Sequence, residues 1–204
     1  MFLSIDGGDG VGKSTQLALL KKYLENQGRS VVVCRDPGSS PLGESIREIL
    51  LRARSSMSIS DRSELFLFMA ARAQLIEEVI RPALAEGKIV LVDRFLLSTV
   101  VYQGYAAGLS PESIWKIGQF AVGSCFPDIT FLLDLDPDQA MNRIQRPLDR
   151  MELKGSEYHK RVRDGFRSAI KEIPLYFSAK GYLIDAGLPP EEITKKMIEF
   201  LPAL

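Results

Sequence analysis

The residues with the clearest chemical role lie near the start of the chain, in SIDGGDGVGKSTQ at positions 4–16. Within this stretch Gly7, Gly12, Lys13 and Ser14 match the pattern G-x-x-x-x-G-K-[ST]. Glycines at this spacing let backbone N–H groups converge on phosphate oxygens, and the free N–H groups of a following helix favour an anion. An apolar stretch precedes the pattern, and a helix is expected to begin at or near Lys13. This combination predicts a P-loop that binds a nucleoside triphosphate.

Two side chains of the loop have predicted contacts with the triphosphate and its metal ion. Lys13 is expected to reach the β- and γ-phosphates, and the Ser14 hydroxyl is expected to ligate Mg²⁺. The guanine-specifying pattern Asn-Lys-x-Asp does not occur in the chain, which disfavours a GTPase. The predicted triphosphate site comprises Gly7, Gly8, Asp9, Gly10, Val11, Gly12, Lys13, Ser14 and Thr15.

A second pair of functional residue types follows the apolar run at 89–92. Asp93 and Arg94 are expected at the C-terminal end of a parallel strand, which is where doubly wound sheets bind ligands. The Asp93 carboxylate can orient Mg²⁺, and the adjacent arginine can hold a second phosphate. The pair therefore indicates transfer of a phosphoryl group between two nucleotides.

Five short apolar runs would position these residues, and longer helix-like segments separate the runs. The runs lie at 2–5, 31–34, 89–92, 129–135 and 182–184. Such alternation predicts an α/β fold with a parallel sheet covered by helices on both faces. Ser110 before Pro111 and Asp136 before Pro137 are typical of helix N-caps.

Length and composition indicate one ordinary globular domain over residues 1–204, with 46% hydrophobic and 25% charged residues. The 26 basic and 26 acidic residues cancel, so the overall charge does not suggest nucleic acid or an anionic membrane as a partner. No apolar run approaches the roughly 18 to 20 residues that cross a bilayer, and the N-terminus lacks a signal-peptide pattern. Two cysteines are too few for a disulfide framework. We predict a cytoplasmic protein.

Charge concentrates in one segment where apolar periodicity fades, at about 143–156. Three arginines and one aspartate occur within the eight positions that begin at Arg143, namely Arg143, Arg146, Asp149 and Arg150. The segment is predicted to be a short mobile surface element, and its arginines could reach a bound phosphate.

Five stretches of the chain together resemble the successive motifs of the bacterial thymidylate kinases. They are DGGDGVGKST, RDPGSSPLGESIR, LFLFMAARAQ, DRFLLSTVVYQG and LDRME, in family order and spacing. The resemblance runs from Phe2 to about Ile198. It implies a five-stranded P-loop NTPase-type fold with a mobile lid, a homodimer, and the reaction ATP + dTMP giving ADP + dTDP, with Mg²⁺.

The resemblance also implies which residues perform catalysis. Asp9 is similar to the acidic residue that reaches the deoxyribose 3′-hydroxyl and the catalytic arginines. Members with glycine at the position of Gly10 supply the catalytic arginine from the lid, which points to Arg146 or Arg150. The short lid leaves Arg143 as a third candidate. The expected catalytic set is Lys13, Asp9, Arg94, Arg146 and Arg150.

The acceptor pocket is implied in the same way. Phe68 corresponds to the aromatic ring that stacks on thymine, and Arg72, one helical turn later, to the donor that reads the base. The implied dTMP-binding set is Asp36, Arg47, Phe68, Arg72, Arg94, Ser98, Tyr102 and Gln103. Three residues depart from the family pattern: Asp36 replaces a glutamate, Ser39 a glycine, and Phe95 a tyrosine or histidine.

Two other functions remain open on the sequence. A deoxynucleoside kinase would phosphorylate a neutral 5′-hydroxyl and need a carboxylate base, whereas Arg47 and Arg94 favour a monophosphate acceptor. A P-loop switch or partner-binding ATPase would use an acidic pair after a second strand, and Asp134 and Asp136 could form one. His159 is expected to have a solvated or structural role, because the dTMP phosphate is already an anionic nucleophile.

Overall fold

The computed structural model describes residues 1–52, 58–145 and 153–203, and these form one five-stranded sheet. The strands are β1 (Phe2–Gly7), β2 (Val31–Arg35), β3 (Ile89–Asp93), β4 (Ile129–Asp134) and β5 (Lys180–Asp185). They lie in the order β2-β3-β1-β4-β5, and every pair is parallel. The α/β prediction is confirmed, and each predicted run contains or overlaps one strand.

Ten α-helices and two π-helical segments surround the sheet in the described part of the chain. The helices are α1 (Lys13–Asn26), α2 (Pro41–Arg52), α3 (Asp61–Leu75), α4 (Arg81–Ala85), α5 (Leu96–Thr99), α6 (Pro111–Val122), α7 (Pro137–Asn142), α8 (Ser156–Ala169), α9 (Ile173–Tyr176) and α10 (Pro190–Glu199). The π-helical segments are Ile76–Ile80 and Val100–Ala106.

Helix boundaries follow the capping signals in the sequence. The Ser110 hydroxyl accepts a hydrogen bond from the Ser113 amide at 3.2 Å, and the Asp136 carboxylate accepts one from the Asp138 amide at 3.1 Å. These side chains satisfy amides of the first helical turn that have no partner within the helix. Both predicted N-caps are therefore confirmed.

The core has two layers, one on each face of the sheet. Phe2 belongs to the larger apolar cluster, whereas Leu3 and Ile5 belong to the cluster on the opposite face. Successive side chains of a strand point to opposite faces, so an all-apolar strand buries both. No helix among the described residues is long and apolar enough to span a membrane.

The C-terminal end of β4 anchors α8 through ion pairs. Asp134 accepts hydrogen bonds from Arg163 Nε at 2.9 Å and Nη2 at 3.1 Å, and from Arg167 Nη2 at 2.7 Å. Burial tends to raise the pKa of Asp134, but the two guanidinium groups hold it below its usual value. This network fixes the second half of α8 against the carboxyl end of β4.

Candidate active site

A cavity of about 780 Å³ opens at the carboxyl ends of the parallel strands, next to the central strand β1. This is the edge of an open α/β sheet at which ligands bind. The predicted residues that line it are Asp9, Gly10, Val11, Gly12, Lys13, Ser14, Thr15, Asp36, Arg47, Phe68, Arg72, Asp93, Arg94, Ser98, Tyr102 and Gln103. The candidates Arg146 and Arg150 lie outside the described residues.

The P-loop connects β1 to α1, and Gly10 and Gly12 are required by its shape. Their φ angles are +75° and +96°, in the left-handed region that glycine adopts without strain. A Cβ on Gly10 would lie 2.0 Å from the Ala140 carbonyl oxygen, so the loop also packs closely against α7. Helix α1 begins at Lys13, as predicted, and directs its first N–H groups towards the loop.

Lys13 is buried against the loop that carries it. Its Nζ donates to the Gly8 carbonyl oxygen at 2.6 Å and lies 3.4 Å from that of Gly7. Burial, followed by the neighbouring charge of Arg94, lowers the pKa of Lys13 to about 8. A phosphate would therefore meet an ammonium whose charged form is weakly stabilised by the protein alone.

Arg94 connects the loops that follow β1 and β3. Its Nη1 donates to the Gly7 carbonyl oxygen at 2.6 Å, and its Nη2 pairs with the Asp9 carboxylate. The other oxygen of Asp9 accepts from the Tyr102 hydroxyl at 3.1 Å. Burial would raise the pKa of Asp9, but Arg94 and Lys13 together lower it. Arg94 has φ +63°, a conformation that costs a non-glycine residue about 1–2 kcal/mol and is common at functional sites.

Carboxylates suited to a metal ion lie beside the P-loop. Oδ1 of Asp93 is buried and has no hydrogen-bond partner among the described residues, and the same holds for Oδ2 of Asp6. The other Asp6 oxygen accepts from the Ser98 hydroxyl at 2.7 Å. The described residues hold no cluster of three or more metal-ligating side chains. This sparse donor set suits Mg²⁺, which binds one or two carboxylates together with phosphate oxygens and waters.

Each guanidinium nitrogen of Arg72, the predicted base-reading arginine, contacts another side chain. Its Nε donates to Asp36 Oδ2 at 2.5 Å, its Nη2 to Thr99 Oγ1 at 2.7 Å, and its Nη1 lies 3.4 Å from Met69 Sδ. Its guanidinium also faces the Phe95 ring, 5.3 Å from the centroid. Only 1% of Arg72 is exposed. Asp36 and Phe95, which both depart from the family pattern, thus both contact the Arg72 side chain.

The remaining acceptor residues lie around Arg72. Arg47 Nη1 donates to the Pro37 carbonyl oxygen at 3.0 Å, and Phe68 lies on the same helix as Arg72, one turn before it. The π-helical segment Val100–Ala106 carries Tyr102 and Gln103. Single π-helical turns are frequent at functional sites because they redirect adjacent side chains.

Sequence reasoning missed several residues of the site. Asp6 and Thr99 contact predicted residues, and an aspartate at the end of a predicted strand was the available signal for the first. Arg143, the third lid candidate, lines the cavity, whereas a further part of the cavity wall was unpredicted: Gln16, Ile144, Gln145, Leu188, Pro190 and Ile193. There Gln16 Nε2 donates to the Pro190 carbonyl oxygen at 2.9 Å, which ties α1 to α10.

The acidic pair and the histidine that the sequence analysis also considered do not line the cavity of about 780 Å³. Asp134 and Asp136 both accept hydrogen bonds from Arg163, so this acidic pair is engaged in the anchor of α8. His159 lines a separate cavity of about 30 Å³, behind the P-loop. Neither observation favours a switch ATPase.

Comparisons with known proteins all point to one family. The family model described as thymidylate kinase matches residues 5–197. The thymidylate kinase of Protochlamydia amoebophila is 43% identical, over 98% of this chain and 91% of its own length. That of Chlorobaculum tepidum is 41% identical, over 100% and 98%. The crystal structure of thymidylate kinase from Ehrlichia chaffeensis superposes with a TM-score of 0.77, at 32% identity, and covers 99% of this chain and 98% of its own.

Proposed function

Because the chain belongs to the thymidylate kinase family, it phosphorylates dTMP to dTDP, and we propose that ATP with Mg²⁺ supplies the phosphoryl group by in-line transfer in the cavity described above. The observation that supports the proposal best is that one cavity of about 780 Å³ joins the P-loop to a second set of cationic side chains. Two phosphates can thus be held facing one another.

The residues of the cavity act by positioning and by neutralising charge. In the transfer, an oxygen of the dTMP phosphate bonds to the γ-phosphorus of ATP while the bond from that phosphorus to the β–γ bridging oxygen breaks. The attacking phosphate is already an anion, so the site needs no general base. Lys13 would contact the transferred group, and Arg94 and Arg47 would hold the acceptor phosphate.

For the metal ion, Ser14 and Asp93 are the proposed holders. The buried Asp93 oxygen without a partner among the described residues supports this assignment. When bound, Mg²⁺ neutralises the β- and γ-phosphate charge. Ser14 is exposed at the start of α1, where its hydroxyl is accessible to a ligand.

At the acceptor base, Phe68 would stack on thymine and Arg72 would donate to its O4 atom. Asp36 was predicted to bind dTMP, and we propose that it acts instead by orienting Arg72, since their side chains form a buried ion pair. Asp9 would accept from the deoxyribose 3′-hydroxyl, and Tyr102, which donates to Asp9, would crowd the 2′ position.

A further arginine is proposed to neutralise the negative charge of the transition state. Gly10 leaves the P-loop without an arginine, so Arg146 or Arg150 is the proposed source. We assign the third candidate, Arg143, to the base of ATP. Its Nη1 donates to the Ala186 carbonyl oxygen at 3.2 Å, beside the apolar cavity residues Leu188 and Ile193. A planar guanidinium beside apolar side chains suits a flat ring.

A coupled assay of ADP release with three acceptors tests the function. We expect release to depend on dTMP, with thymidine and water far poorer acceptors, and to fall more than about a hundredfold in Lys13→Ala. Thermal unfolding of that variant serves as the control, because the glycine conformations do not depend on the lysine side chain. Equal activity with thymidine would indicate a deoxynucleoside kinase, and dTMP-independent release would indicate an ATPase.

Assembly and location complete the proposal. We propose a homodimer, supported by the apolar surface residues Phe66 on α3 and Phe120 on α6, which are 58% and 92% exposed. We propose the cytoplasm as the location, supported by Cys34 and Cys125, which are both free and buried. The balanced charge supports the absence of nucleic acid and membrane partners.

A further inference from the structure

The amide of Gln103 has a defined orientation in the acceptor part of the cavity. Its Nε2 donates to Glu64 Oε1 at 2.9 Å, and both side chains are buried, with 1% of Gln103 and 5% of Glu64 exposed. Its Oε1 is buried and has no hydrogen-bond partner among the described residues. Gln103 lines the cavity, and its Oε1 is the end of the amide that Glu64 does not engage.

Glu64 determines this orientation. An ionised carboxylate has acceptors and no donor, so only the NH₂ end of the Gln103 amide can face it. The reversed amide would place its oxygen against the Glu64 oxygen at a buried site, so two acceptors would face each other with no hydrogen between them. Glu64 therefore fixes an acceptor, rather than a donor, on the cavity side of Gln103.

The neighbouring group has the opposite polarity. Arg72 lies on the same helix as Glu64, eight residues later, and its guanidinium carries only donors. The wall of the acceptor pocket thus carries an arginine donor and a glutamine acceptor. Thymine has the matching pair, an acceptor at O4 and a donor at N3. Cytosine has the reverse, a donor amino group at C4 and an acceptor at N3.

We propose that Glu64 is a positioning residue for base choice, which excludes cytosine nucleotides by fixing the Gln103 amide. The proposal rests on the proposed function, in which the base of dTMP occupies the part of the cavity lined by Phe68 and Arg72. An amide free to rotate could present its NH₂ group to cytosine N3. If residue 64 can also donate a hydrogen bond, the Gln103 amide can reverse. The mismatch between the Gln103 oxygen and cytosine N3 is then removed, and the mismatch between Arg72 and the cytosine amino group remains.

Glu64→Gln tests the proposal, because glutamine has nearly the same shape as glutamate. A glutamine at position 64 can either accept from or donate to Gln103. The two substrates are dTMP and 5-methyl-dCMP, which share the 5-methyl group and differ in the O4 and N3 pattern. We expect the ratio of their kcat/KM values to fall about tenfold in Glu64→Gln, the effect of one unpaired buried polar group. The fall comes mainly from a gain with 5-methyl-dCMP, and the KM for ATP stays unchanged.

Two further variants separate orientation from general stability. In a Gln103→Leu background no amide remains to orient, so adding Glu64→Gln should not change the ratio further. Glu25→Gln, the same substitution at an exposed residue of α1, should leave the ratio unchanged. An unchanged ratio in folded Glu64→Gln, or an equal additional fall in the Gln103→Leu background, would overturn the proposal. Wild-type enzyme that released no dTMP-dependent ADP would instead overturn the proposed function.

Discussion

At the scale of single residues, the cations of the site are held by oxygen atoms of the protein itself. Lys13 donates to the Gly8 carbonyl, Arg94 to the Gly7 carbonyl and Asp9, and Arg72 to Asp36. Burying a charge is costly unless it is paired, so these contacts keep the side chains charged and oriented before substrate binds. Of these three, Lys13 has the weakest compensation, because its hydrogen-bond partners among the described residues are carbonyl oxygens.

The lowered pKa of Lys13 leads to a prediction about ATP binding. Its pKa is about 8, because burial and the charge of Arg94 disfavour the ammonium form. The negative charge of ATP favours that form and raises the pKa. Below pH 8 the lysine is already charged, whereas above pH 8 binding must take up a proton. ATP affinity should therefore fall above that pH, by up to about tenfold per pH unit.

Calorimetry in two buffers with different ionisation enthalpies measures this proton uptake directly. Lys13→Met provides the control, because it cannot take up a proton at this position. Wild-type binding near pH 8 without proton uptake, or with the same uptake in the variant, would contradict the assignment.

The sequence predicted the residues of the site unevenly, for physical reasons. A motif of consecutive residues encodes Lys13 and Ser14, and local pattern is enough to find them. Glu64 and Thr99 act through partners that are 39 and 27 residues away, and only the folded sheet and helices bring them together. Such contacts leave no local signal in the chain.

At the scale of secondary structure, the P-loop depends on α7 as well as on its own sequence. Gly10 lies against the Ala140 carbonyl, and Asp136, which caps α7, pairs with Arg163 of α8. The three central strands β1, β3 and β4 were predictable because both of their faces are buried, which gives continuous apolar runs. The π-helical segments were not, because a short apolar segment does not reveal its helical period.

Glycine-to-alanine variants in the P-loop measure this packing. Gly8→Ala should be nearly neutral, because its Cβ would only touch Val11 Cγ1 at 3.7 Å. Gly12→Ala has open space but φ +96°, so it should cost about 1–2 kcal/mol of unfolding free energy. Gly10→Ala combines φ +75° with the 2.0 Å overlap on Ala140, so the loss should be larger, on the order of 3 kcal/mol.

Urea unfolding of the three variants gives these free energies on one scale. The order Gly8, Gly12, Gly10 is the decisive result. Equal losses at Gly10 and Gly12 would mean that the contact with α7 does not constrain the loop.

At the scale of the whole molecule, the acceptor site and the proposed dimer surface share a helix. One face of α3 carries the buried residues Glu64 and Arg72, and Phe66 projects from the exposed side. Helix α6, which carries the exposed Phe120, packs against α3. A second copy of the chain on this face would therefore stabilise the helix that is proposed to contact the base.

The apolar surface with Phe66 and Phe120 can be tested by introducing a charge. A buried phenylalanine contributes about 1.5–3 kcal/mol relative to an exposed one, and a charge in its place must be desolvated. We therefore expect wild-type protein to have twice the chain mass in light scattering after gel filtration, and Phe120→Glu to have the mass of one chain. Leu183→Glu, which places the same charge on another exposed apolar residue, on β5, should remain dimeric. Because α3 loses its contact with the second chain, Phe120→Glu should also raise the KM for dTMP while leaving the KM for ATP unchanged. A monomeric wild type, or dissociation by Leu183→Glu alone, would show that α3 and α6 do not form the interface.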